Sequence, residues 1–82
     1  MFYPIVIHQE GDSAYGVTVP DLPGCFSAGD SLNKALINAK KAIKLHIESL
    51  LEDGESIPEG CELSRYTDDP KYSDGLWHIV EV

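Results

Sequence analysis

The chain of 82 residues contains three histidines, two cysteines and 14 acids, and these are the side chains with which it could do chemistry. A metal site needs several His, Cys or carboxylate ligands converging, usually with two at short spacing. His8, His46 and His78 fall in three different predicted elements, and of these only His8 and His78, on the first and last strands, could come close. Cys25 would need a neighbouring base or a helix dipole to become a nucleophile, and the simpler role for it is a small buried apolar residue. No serine sits in a nucleophile elbow, and Gly24 with Gly29 does not make a phosphate loop. A metal-dependent nuclease would need carboxylates clustered on core strands, yet the predicted strands hold Glu81 and no other acid. The sequence therefore predicts no metal, no cofactor and no catalytic residue. A small enzyme using Cys25, or a His8 and His78 pair, is the weakest of the readings open to it.

The acids instead form a field. Six bases against 14 acids give a net charge of −8. Residues 1–47 carry four acids and four lysines, which cancel, while residues 48–82 carry ten acids against Arg65 and Lys71. Such a surface repels phosphate backbones and attracts basic partners, so direct nucleic-acid binding is not expected. The alternatives are a solubilising surface and a docking surface for a basic protein. At this length, with 43% hydrophobic residues, one domain spanning 1–82 is expected. Only about 60% of the unfolded chain's surface is buried at this size, so oligomerisation is the expected support. Cys25 and Cys61 make no secreted-style disulfide framework, and the chain shows neither a basic n-region nor a long apolar run. A cytoplasmic location is expected, with no membrane association.

Residues 2–9, FYPIVIHQ, read as a strand that turns at Glu10-Gly11-Asp12-Ser13. Ala14 to Val19 alternates with a period of two, and Pro20 ends it. Asp21-Leu22-Pro23-Gly24 reads as a loop, and Cys25 to Ala28 as a short third strand. From Asp30 or Ser31 to about Asp53 the spacing predicts a long helix closed by Gly54. Its core face would be Leu32, Ala35, Leu36, Ala39, Ile43, Ile47 and Leu50, with Lys34, Lys40, Lys41 and Lys44 opposite. Ile37 and Leu45 fall on the lysine side, either as tolerated exposures or as contacts with another chain. Residues 55–75 show no sustained period, and Leu76 to Val82 closes the chain as a strand. The predicted fold is α+β, a two-layer β-β-β-α-β domain whose mixed four-stranded sheet carries the helix on one face. A right-handed crossover would return the last strand parallel to the first, and the other sheet face would be uncovered.

Tyr3-Pro4-Ile5-Val6, the run Tyr15-Gly16-Val17-Thr18-Val19-Pro20-Asp21-Leu22-Pro23-Gly24-Cys25, and Gly29-Asp30-Ser31 with Ala35 and Ala39-Lys40 resemble the HicB-like antitoxin family. Leu51 to Glu55 followed by Ile57-Pro58, and the closing Ile79-Val80-Glu81-Val82, look like that family's helix terminus and final strand. The resemblance spans nearly the whole chain. It implies a partial RNase H-like fold without nuclease chemistry, belonging to a type II toxin–antitoxin antitoxin. The implied partner is a HicA-type toxin, a small basic ribonuclease that uses a histidine to cut mRNA and whose active site the antitoxin covers. Many members continue into a DNA-binding domain; this chain stops at Val82, so no C-terminal DNA-binding domain is expected in it.

Two sets of residues are then candidates for partner contact. Asp21, Leu22, Pro23, Gly24, Cys25 and Phe26 form a stiff loop presenting backbone and some apolar surface. Asp68, Asp69 and Asp74 are placed to meet basic toxin residues. Ile37 and Leu45 are the candidates for contact between copies in a homo-oligomer. The competing reading is a non-catalytic, homo-oligomeric structural or small-ligand-binding module sharing the fold.

Overall fold

The computed structural model describes residues 1–9, 14–60, 64–72 and 75–82, which leaves the predicted turn at Glu10 to Ser13 outside the described residues. Strand β1 (Phe2–Gln9) pairs antiparallel with β2 (Tyr15–Thr18), Ile7 opposite Val17, and β2 pairs antiparallel with β3 (Phe26–Gly29), Thr18 opposite Phe26. Strand β4 (Leu76–Glu81) lies on the far side of β1, giving the order β3-β2-β1-β4. Helix α1 (Leu32–Glu52) crosses one face of this sheet.

The sequence signals at both ends of α1 act as expected. The Ser31 hydroxyl accepts from the Lys34 N–H at 3.2 Å, satisfying one of the donors a helix start leaves open. At the other end Gly54 turns left-handed at φ 71°. Its N–H donates to the Leu51 carbonyl at 3.1 Å, and the Glu55 N–H to the Leu50 carbonyl at 2.9 Å. This pair of bonds closes the helix, and glycine takes that conformation without steric penalty. Ala35, Ala39 and Ile43 are fully buried against Tyr3, Ile5, Ile7, Val17, Val19, Leu22, Cys25 and Val80, with Leu36, Ala42 and Ile47 packed at the margin. Leu32, assigned to the core face, is exposed, as are Ile37 and Leu45.

The direction of β4 differs from the expectation. It neighbours β1, as predicted, but runs antiparallel to it, Tyr3 opposite Val80 and Ile5 opposite His78, so the sheet is antiparallel throughout and not mixed. The reason lies in the connection. A parallel return requires the chain to re-enter the sheet at the end where α1 stops. Here the chain after α1 first touches the start of β1, where the Tyr3 hydroxyl donates to the Pro58 carbonyl at 2.6 Å and Gly60 packs on the Phe2 carbonyl. By Gly75 it has reached Val6 and Ile7, so it traverses the sheet before β4 begins at the opposite end.

That traverse also corrects the expectation of an uncovered second face and of a structureless stretch from 55 to 75. It contains a short helix α2 (Ser64–Thr67) and a 3-10 turn (Pro70–Tyr72). Tyr66 stacks on Trp77 with ring centroids 6.0 Å apart, and Tyr72 meets Trp77 edge-on at 5.5 Å. Trp77 is paired with Val6, and Val6 is fully buried on this face. Aromatic packing of this kind adds to the area it buries and fastens the segment to the sheet.

Candidate partner-binding cleft

The segment after β2 is rigid for identifiable reasons. The Leu22 N–H donates to the Val19 carbonyl at 3.1 Å, the Cys25 N–H to the Leu22 carbonyl at 2.9 Å and the Val19 N–H to the Cys25 carbonyl at 3.2 Å. Gly24 supplies a φ of 84°, a value that favours glycine. Within this loop Leu22 and Cys25 point into the core, and Asp21 is buried, accepting from the Tyr66 hydroxyl at 2.5 Å. Of the six loop residues proposed from sequence for partner contact, the surface is therefore made by Pro23, Gly24 and Phe26, with Phe26 66% exposed. Asp21, Leu22 and Cys25 hold the loop's shape from inside.

The 3-10 turn faces this loop. Asp69 is half-buried; its carboxylate accepts from the Lys71 N–H at 3.0 Å and its carbonyl from the Tyr72 N–H at 3.0 Å, so it shapes the turn, while Asp68 is exposed. Asp74 and Cys61 lie outside the described residues. Loop and turn enclose a cleft of about 480 Å³ lined by Pro20, Pro23, Gly24, Phe26, Lys71 and Tyr72, and floored by His8 and Thr18. The His8 Nε2 and Thr18 Oγ1 atoms are 3.3 Å apart, and Lys71 Nζ stands 5.7 Å from the Tyr72 ring centre. The structure thus joins two regions that the sequence offered separately. His8, Thr18, Lys71 and Tyr72 were not among the sequence candidates for partner contact. No local spacing marked them, because the two walls of the cleft meet only in the folded chain.

The two strand histidines do not form a pair. His8 shares its face with Gly16, whereas His78 stands opposite Ile5 on the helix side. Among the described residues no group of three His, Cys, Asp or Glu side chains could hold a metal ion, and no helix is long and apolar enough to cross a membrane.

Burial pushes the Cys25 thiol above its ordinary 9.0, and burial, then the charges of Asp21 and Glu59, push the Tyr3 phenol above its ordinary 10.0. In the unfolded chain both groups ionise at those ordinary values. The fold, which keeps them neutral, therefore has their full contribution below those values and loses it as pH rises through the higher folded ones. Denaturant melts are expected to show stability falling from about pH 9 upward. Cys25→Ala should blunt the first part of the fall, and a flat profile to about pH 11 would contradict the assignment. At neutral pH Cys25 should resist iodoacetamide until the chain is unfolded, read by mass spectrometry of its peptide.

A helix laid on one face of an antiparallel sheet, with a hydrogen-bonded loop and an aromatic turn closing a surface cleft, makes a two-layer α+β domain. Residues 3–82 match the model of the HicB-like antitoxin of bacterial toxin–antitoxin systems, and the chain belongs to that family. It is 49% identical over 82 residues to a 14.9 kDa protein from the rep-hol intergenic region of Haemophilus phage HP1, covering all of this chain and 61% of that protein. This chain therefore spans about three fifths of that relative. The crystal structure of the N-terminal domain of Burkholderia pseudomallei antitoxin HicB superposes with a TM-score of 0.87 at 36% identity, covering 100% of this chain and 98% of that one. A chain of the HicA3 and HicB3 toxin–antitoxin complex superposes with a TM-score of 0.84 at 34% identity, covering 99% and 96% of the two chains.

Proposed function

We propose that this chain is the toxin-binding domain of a type II antitoxin and that it neutralises a HicA-type, mRNA-cleaving toxin by covering the toxin's active site. The observation that carries this reading is the match, over 99% of the chain, to a component of a solved toxin–antitoxin complex. Charge supports it: a domain of net charge −8 suits a basic, RNA-binding partner. The cleft offers a surface for contact, with Phe26 and Pro23 exposed at its wall. Titrating the chain into a HicA-type toxin should abolish mRNA cleavage at molar equivalence. Cleavage that persists at saturating chain overturns the reading.

Replacing Asp68 and Asp69 with lysine halves the net charge of −8. Rim charges act mainly on encounter, so toxin association at low salt is expected to slow about tenfold, with a flatter dependence on ionic strength. Stopped-flow association measured across a salt series checks this. Unchanged rates at low salt would remove the two aspartates from the contact.

A further inference from the structure

The charge of the cleft is opposite to that of the molecule around it. The chain carries −8, yet no acid is found among the described residues that line the cleft, whereas Lys71 and His8 stand there. Lys34, Lys40, Lys41 and Lys44 all lie on α1, which leaves Lys71 as the lysine of the cleft. Its ammonium stands 5.7 Å from the centre of the Tyr72 ring and, among the described residues, makes no ion pair with a carboxylate. Asp69 and Asp21, on the two segments that build the cleft, are turned to other donors. Asp69 accepts from the Lys71 main-chain N–H, and Asp21 is buried, accepting from the Tyr66 hydroxyl.

Pro20, Pro23, Phe26 and Tyr72 surround this lysine with apolar surface. On the floor, Thr18 Oγ1 and His8 Nε2 are 3.3 Å apart. With the ring N–H donating, the Thr18 hydroxyl keeps its own proton for a ligand. A partner seated on Phe26 would strip water from Lys71. An ammonium that loses its water without gaining a carboxylate is strongly unfavourable, and a cationic side chain in the same space would be repelled as well. Two ranges of electrostatics are thus separated. The net negative charge draws a basic protein in from beyond about 8 Å, but the charge within the cleft decides what can enter it.

We propose that the cleft takes an aspartate or glutamate side chain of the toxin, its carboxylate set against the Lys71 ammonium and its stem between Phe26 and Tyr72. The proposal rests on the reading that the cleft holds the toxin, and it names the toxin chemistry that the site selects. A basic toxin lacking an acid at that point of its surface would be attracted to the chain and still fit it poorly, so Lys71 is a specificity-determining residue.

Calorimetry with a HicA-type toxin tests this. Lys71→Met keeps the stem beside Tyr72 and removes the charge, and should raise Kd about tenfold. Lys71→Glu should raise it about 30-fold or more, although it takes the chain from −8 to −10 and so strengthens the pull on a basic protein. Lys41→Glu makes the same change of charge on the exposed side of α1 and should bind at least as tightly as the parent. Lys71 is exposed and its bond to Asp69 is a main-chain one, so unchanged thermal midpoints should show that all three variants fold. In a panel of toxins with each acid in turn changed to lysine, one member should bind the Lys71→Glu chain at least about tenfold more tightly than the unaltered toxin does. Lys71→Glu binding as tightly as Lys41→Glu overturns the proposal, as does a panel in which no member restores affinity; both leave the proposed neutralisation standing. A parent chain that does not bind the toxin overturns both.

Discussion

Gly29→Ala is expected to lower stability by about 3 kcal/mol, the upper end of what overpacking costs. A Cβ at this position would strike the N and Cα atoms of Ala35 and the carbonyl carbon of Lys34, which are main-chain atoms of α1 and cannot rotate away. Relief would require the first turns of the helix to lift from β3, uncovering Ala35 and Ala39, both fully buried. A chain of this length has only about 4–12 kcal/mol of stability in total, so the loss is a large share of it. The midpoint of thermal unfolding should fall by about 12–24 °C. Gly24→Ala is the control: it has open space at Cβ and suffers the left-handed backbone strain alone, so its cost should be nearer about 1 kcal/mol. Equal effects of the two substitutions would show that α1 is not seated tightly on β3.

That close seating was foreshadowed in the sequence, as was much of the fold. Alanine at 35 and 39, with Ser31 before the helix and Gly54 after it, states where α1 starts, where it stops and which face approaches the sheet. Period-two alternation in Tyr15 to Val19 states which side of β2 is inward. These signals are local, and the structure follows them. The direction of β4 is not local. It depends on where the chain goes between residues 55 and 75, and that path is fixed by Tyr66 and Tyr72 meeting Trp77 and by the Tyr3 hydroxyl holding Pro58. None of those contacts has a sequence period, so the rule for helix-linked strands pointed the wrong way.

The cleft divides along the same line. Prolines and glycine in Asp21 to Phe26 mark a stiff loop, and the three main-chain bonds across it bear that out. A loop without a period does not announce which of its side chains turn inward, so Leu22, Cys25 and the buried Asp21 were indistinguishable from Pro23 and Phe26 as contact candidates. The opposite wall, Lys71 and Tyr72, comes from 45 or more residues downstream and is visible only when the chain has folded.

Phe26 carries the second large effect. It is 66% exposed at the rim of the cleft, so removing its ring takes little from the core, and Phe26→Ala should stay within about 0.5 kcal/mol of the parent stability. A large exposed aromatic beside a concave surface is the kind of residue on which binding energy concentrates when a partner desolvates it. In the proposed toxin complex its truncation should therefore cost at least about 2 kcal/mol, close to 30-fold in Kd, measured by calorimetry with a HicA-type toxin. Phe2 gives the matched comparison. It is 62% exposed and lies on the same face of the sheet, but it lines a different groove, beside Met1, Glu59 and Gly60. Phe2→Ala should leave toxin affinity within about threefold of the parent, because an aromatic outside the contact contributes nothing to it. Loss of binding in Phe26→Ala with retention in Phe2→Ala places the toxin on the cleft. The opposite pattern moves the contact to the start of β1, and equal affinity in all three proteins removes this face from the interface while leaving neutralisation itself intact.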